Sequence, residues 1–256
     1  MSSVPALRRA IQVLRALAAH PAPMPAGTLA RELALPRSTI YHLLAVLEAE
    51  GFVVHLPEAR AYGLGVGVFE LGSAYLRNDP LERLARPLLS RLVEQTGQTV
   101  HLGVLHGRET LYLVKEQPTH ALPLITEVGV RLPAHLTASG RSMLAALPRP
   151  QVRALYPDRD AFVDRTGRGP RTPAQLRELL AAERARGWAE EDGHVTPGVA
   201  SVAVCVLDYG QRPAAAVGCT FPSPAIASDD ERAALARAVR AVAERLARRL
   251  AGTRAG

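Results

Sequence analysis

Within six residues, Arg37-Ser38-Thr39 and Tyr41-His42 set out a guanidinium, two hydroxyls, a phenol and an imidazole. All five can donate to phosphate oxygens or to the edges of bases, and arginine can do so through two parallel bonds. A second group is Thr137-Ala138-Ser139-Gly140, where small residues and a hydroxyl stand at the expected start of a helix. Free amides there suit an anion, although a plain capping turn would use the same residue types. Ser139, His135 and Asp192 could also be read as the nucleophile, base and orienting acid of a hydrolase. Against that, the chain has no GxSxG, GxGxxG or HExxH pattern and no phosphate-cradling GxxxxGK loop. Cys205, Cys219 and His194 would be the material of a redox or metal sensor, but their spacing is not that of a zinc site. No catalytic residue, metal or cofactor is therefore expected.

The first group needs a helix to present it. Ile40, Leu43, Leu44 and Leu47 fall at i, i+3, i+4 and i+7, so one face of a helix from Arg37 to Glu50 is buried. Arg37, Ser38, Tyr41, His42 and Ala45 take the other face. Before it stand a helix over 6–19, ended by His20-Pro21-Ala22-Pro23, and a short one over 26–33. Two short helices across a tight turn make a helix-turn-helix, whose second helix enters the major groove. The strand-like runs 52–56 and 61–64 follow, with Pro57-Glu58-Ala59-Arg60 between them. That hairpin reads as a wing, with Arg60 at its tip within reach of phosphate. Arg8 and Arg9 suit contacts to the DNA backbone rather than to bases. The apolar segment through Val66, Phe69, Leu71, Gly72, Tyr75 and Leu76 reads as a connecting helix, broken at Asn78-Asp79-Pro80. A dimer contact is its expected use, because a two-fold pair of winged helices reads a palindrome.

From Leu81 onward helices alternate with hairpins: helices over 81–95, over 135–147 after an opening loop, over 173–187 and from 228, and strands over 99–105, 110–115, 121–128, 199–207 and 213–220. This predicts an α+β fold overall, a winged helix-turn-helix over 1–65, a linker helix over 66–79, and over 80–252 a mostly antiparallel sheet flanked by helices. Composition agrees, with hydrophobic residues at 48% and charged ones at 21%, enough core for two domains. No apolar run reaches the roughly 18 residues of a membrane span, and Met1 to Pro5 lead directly into a helical pattern without the apolar stretch of a signal peptide. A cytoplasmic protein with no membrane partner is expected. The net charge of +7 invites a nucleic-acid reading. Yet up to Leu76 the arginines barely outnumber the glutamates, so pattern rather than charge points to the first domain.

Taken in order, these residues resemble the IclR family of transcriptional regulators over about residues 7–250. The similarity is carried by Leu35-Pro36-Arg37-Ser38-Thr39 with Leu43-Leu44, by Gly51-Phe52-Val53 and by Tyr62-Gly63-Leu64-Gly65. Further on it runs through Thr96-Gly97-Gln98-Thr99-Val100-His101-Leu102, Gly129, Pro133, His135 and Gly140-Arg141-Ser142-Met143-Leu144-Ala145. Gly187-Trp188-Ala189, Gly198-Val199 and Asp208 complete it. The resemblance implies a GAF-like effector domain, a homodimer or homotetramer, and a palindromic double-stranded operator. It also implies a small organic or aromatic acid as effector, held at Ala121, Leu124, Leu132, Ala138, Ser139, Asp192, Cys205, Gly218 and Thr220. Two departures stand out. Tyr41-His42 replaces the family's usual His-Arg, and Gly193-His194 replaces an acidic pair.

Overall fold

The computed structural model describes residues 4–78, 80–121 and 123–252, which divide into two compact units, Met1–Asp79 and Pro80–Gly256. In the first, proline opens α1 (Pro5–Ala19), where its missing N–H costs nothing. α2 (Ala26–Glu32) and α3 (Arg37–Ala49) follow, and the turn between them is closed by Leu35 N donating to Ala30 O at 3.0 Å. Ile40, Leu44 and Leu47 of α3 pack with Val13, Leu17 and Leu29 as one core. β1 (Val53–Leu56) and β2 (Ala61–Leu64) pair antiparallel, and Met24 joins them through 2.9 and 2.8 Å backbone bonds with Tyr62. Gly51 ends α3 at φ +74°. At Gly65, a Cβ would lie 2.3 Å from the Gly51 carbonyl oxygen, so only glycine lets the hairpin close beneath the helix. α4 (Val66–Asn78) completes the unit; of the predicted break after it, Asp79 lies outside the described residues.

One detail of α1 differs from its periodicity. Leu7 and Ile11 share the helical spacing of Leu14 and Leu17, but they are 59% and 41% exposed, while Val13, Ala16 and Leu17 are buried. The small core of the unit reaches only the second half of the helix.

The second unit is a six-stranded antiparallel sheet in the order β5-β4-β3-β8-β7-β6. Its strands are β3 (Thr99–His106), β4 (Glu109–Glu116), β5 (Arg131–Pro133), β6 (Ala189–Asp192), β7 (Val199–Leu207) and β8 (Pro213–Pro222). Alternation along β7 sorts the faces: Ala200, Val202, Val204 and Val206 join the large core formed with α5 (Pro80–Thr96) and α9 (Asp229–Gly252). Ser201, Ala203 and Cys205 take the opposite side, where α6 (Ala138–Ala146) packs. α7 (Arg149–Leu155) and α8 (Pro173–Arg186) lie beyond it, and α8 packs on α6. β6 and α7 had no counterpart in the sequence reading. The strand predicted over 121–128 does not form in the described residues; Pro123 offers no donor, and the chain pairs instead at β5.

Candidate functional site

α3 begins with Pro36 at its N-cap and no side-chain cap. The hydroxyls of Ser38 and Thr39 are therefore not spent on capping the helix. Arg37, Ser38, Tyr41 and His42 are exposed and Thr39 is half-buried. Among the described residues, none of the five side chains is hydrogen-bonded or ion-paired. Gly27 lies beside Arg37, and a Cβ there would meet the guanidinium in ordinary contact at 3.7 Å. Arg60 lies exposed in the hairpin turn at φ +48°, with its amide bonded to Pro57 O at 3.1 Å. The hairpin behind it is stiffened by His55 stacked on Tyr62, ring centroids 4.6 Å apart. Arg8 and Arg9 are exposed on α1. The surface thus offers donors on a helix, at a turn and along a second helix.

In the second unit a cleft opens between the start of α6, the 124–126 loop and the sheet. The cavity it encloses measures about 30 Å³, with an open mouth beyond it. Leu124, Leu132, Ala138, Ser139 and Thr220, five of the positions that the resemblance implies, line it. Gly218 lies immediately behind: a Cβ there would fall 2.6 Å from Ser139 Oγ, so its missing side chain is what admits the serine. Thr137 caps α6 by accepting from Gly140 N at 2.9 Å. The first amides of the helix, Ala138 and Ser139, have no backbone partner among the described residues.

Three of the expected residues lie elsewhere. Ala121 does not line the cleft. Asp192 points away from it and is held by Arg232 Nη2 at 2.8 Å and Ser223 Oγ at 2.9 Å. Cys205 lines a separate hollow beside Trp188, toward the other end of α6. In its place the inward acid of β6 is Glu191, which is 4% exposed. Its carboxylate accepts from Ser201 Oγ and from His194 N, both at 3.0 Å, and Ser201 meets Thr220 Oγ1 at 2.9 Å. Burial pushes Glu191 up from 4.5 to about 7, opposed chiefly by the Ser201 hydrogen bond. No arginine, lysine or histidine lines the cleft among the described residues. Tyr112 and Thr126 add further hydroxyls, and Thr126 bonds the buried His101 Nε2 at 2.7 Å, which fixes the loop wall. A strand read over 189–192 was the missing signal, since alternation from buried Ala189 turns residue 191 inward and residue 192 outward.

The rival chemistries are not assembled. No hydrogen bond joins Ser139, His135 and Asp192 to one another; His135 Nε2 is engaged by Val163. Burial raises both Cys205 and Cys219 to about 12. No group of three metal-ligating side chains occurs among the described residues.

The family described as "Bacterial transcriptional regulator IclR C-terminal" matches residues 73–248, and "IclR helix-turn-helix domain" matches residues 6–57. The chain is 30% identical over 228 residues to the transcriptional repressor IclR of Escherichia coli strain K12, covering 88% of this chain and 83% of that one. It is 32% identical over 253 residues to the glycerol operon regulatory protein of Streptomyces coelicolor, covering 98% of each. An IclR homologue from Microbacterium hydrocarbonoxydans, solved in complex with 4-hydroxybenzoate, superposes with a TM-score of 0.81 at 25% identity. It covers 98% of this chain and all of that one.

Proposed function

The chain belongs to the IclR family of DNA-binding transcriptional regulators, and on that premise we propose that it binds a palindromic operator as a dimer or tetramer under the control of a small effector. The unspent donors of α3 carry this reading. Arg37, Ser38, Thr39, Tyr41 and His42 face the major groove, while Arg60 of the wing and Arg8 and Arg9 of α1 meet phosphates. Residues 1–65 act on DNA in the cytoplasm, 66–79 connect, and 80–252 sense the effector.

The effector lies in the cleft. A small acid would place its carboxylate at the amides of Ala138 and Ser139 and at the Ser139 hydroxyl. Glu191, whose proton burial retains up to about pH 7, would in its neutral form donate rather than repel. Effector binding alters DNA affinity to the extent that it favours one arrangement of the assembly.

Gel-shift binding to the intergenic DNA beside the protein's own gene, across a salt series, tests the first part. Retention that survives competitor DNA is expected. Arg37→Ala should weaken it by about 1–3 kcal/mol, or roughly 5- to 150-fold. Unchanged affinity in that variant would overturn the assignment of α3.

A further inference from the structure

We propose that the groove between α7 and α8 is a second ligand site, built for a small organic anion with an apolar body. The groove measures about 290 Å³, the lower end of the range for small-molecule sites. Tyr156, Leu176 and Leu180 form its floor and are buried. Arg149, Arg153, Arg177 and Arg184 form its rim, and among the described residues no acid lines it. Several guanidinium groups of this unit are matched with acids, such as Arg141 with Glu183, Arg186 with Glu190, and Arg232 with Glu190 and Asp192. Arg149, Arg153 and Arg177 instead have no ion pair or hydrogen bond among the described residues.

Like charges gathered over an apolar floor repel one another until an anion separates them. A carboxylate or phosphate would satisfy them through forked bonds. Phosphate alone would leave the floor uncovered, and a neutral aromatic would leave the charges unmet. An aromatic carboxylate meets both demands. A bound helix would need a longer trough than one walled by the 7 residues of α7. Arg184 gives the site a route inward. Its Nε donates to Ala145 O at 2.7 Å, at the end of the same α6 whose first turn heads the cleft. An anion that draws this guanidinium outward therefore acts on the helix that the cleft uses.

Titration calorimetry of the full-length protein with benzoate, benzamide and inorganic phosphate tests the site. Benzoate is expected to bind, with benzamide and phosphate each weaker by about tenfold or more. Arg153→Ala/Arg177→Ala, which replaces two exposed side chains outside the cleft, should remove one benzoate equivalent or weaken it at least as much. Unaltered benzoate binding in that variant would place the anion elsewhere and overturn the proposal. So would equal binding of benzamide, or no benzoate binding at all. Gel-shift retention of operator DNA by the same variant keeps this result separate from the regulator assignment.

Discussion

A carboxyl group facing hydroxyls in a narrow cleft must decide whether to keep its proton. Glu191 sits in that position, and burial outweighs its hydrogen bonds, so that it titrates near 7 rather than 4.5. Between those two values the folded chain binds more protons than the unfolded one. Stability from this group is therefore complete below about 4.5, declines as pH rises to about 7, and stays level above it. Glu191→Gln should flatten that decline and melt higher than the parent at pH 8 in a thermal series. His101 and His194 act oppositely, since burial holds them down to about 3 and about 4, and they cost stability as pH falls below 6.5. The difference between parent and variant isolates Glu191, and curves that stay parallel would show that its carboxyl is already ionised. A carboxylate effector adds a second consequence: its affinity should fall as pH passes 7, and glutamine at 191 should abolish the fall. The two thiols give a simpler expectation. Burial raises Cys205 and Cys219 to about 12, so neither reacts as thiolate at neutral pH. Labelling with a thiol reagent at pH 7.5 should be slow in the native protein and fast in urea; rapid native labelling would reopen a redox role.

Elements carry these residues, and α6 carries the most. Arg141 of that helix is fully buried and bonds Glu183 of α8 at 2.9 Å, the carbonyls of His135 and Leu136 at 3.2 Å each, and the carbonyl of Glu190 on β6. One side chain therefore ties α6 to α8, to the loop before it and to the edge strand. Removing one member of a buried pair leaves the other charge stranded, at a cost of about 3–5 kcal/mol. Arg141→Ala should lower the urea midpoint of the second unit accordingly; a loss below about 1 kcal/mol would mean that water replaces the guanidinium there. The sequence displayed α6 through its capping threonine and small residues, and α3 through its four-residue apolar stripe. It hid β6, because Ala189-Glu190-Glu191-Asp192 contains nothing that signals a strand. Only the sheet beside it makes that stretch extended, and so the acid that enters the cleft was read one residue late. The 121–128 segment failed in the other direction. Its apolar residues suggest a strand, but Pro123 and the Thr126–His101 bond hold it as a wall. Cys205 was drawn to the cleft by resemblance alone; strand spacing carries it past Ala203 to the next hollow on the same face.

At the scale of the whole molecule, two helices of the first unit are more apolar outside than one chain can use. On α4, Val66, Phe69 and Leu71 are 66%, 74% and 61% exposed, and on α1 Leu7 is 59% exposed. Scattered apolar residues on a surface are ordinary, but several large ones on the helices that flank a DNA-reading unit suit a self-complementary contact. A second copy of the chain is the occupant that a palindrome calls for, because one winged helix reads too few base pairs for specific binding. Pairing would also explain why Leu7 and Ile11 follow the helical spacing of a core yet meet none within their own unit. A charge placed in such a contact would face its own copy across the two-fold axis, adding repulsion to the loss of burial. Phe69→Glu should therefore shift the protein toward monomer in sedimentation at micromolar concentration. It should also weaken operator retention by about tenfold or more, while binding to a single half-site stays close to the parent's. Should the variant sediment as the parent does, α4 would not be a contact between copies. Full operator affinity in a monomeric variant would instead show that this chain reads DNA one copy at a time.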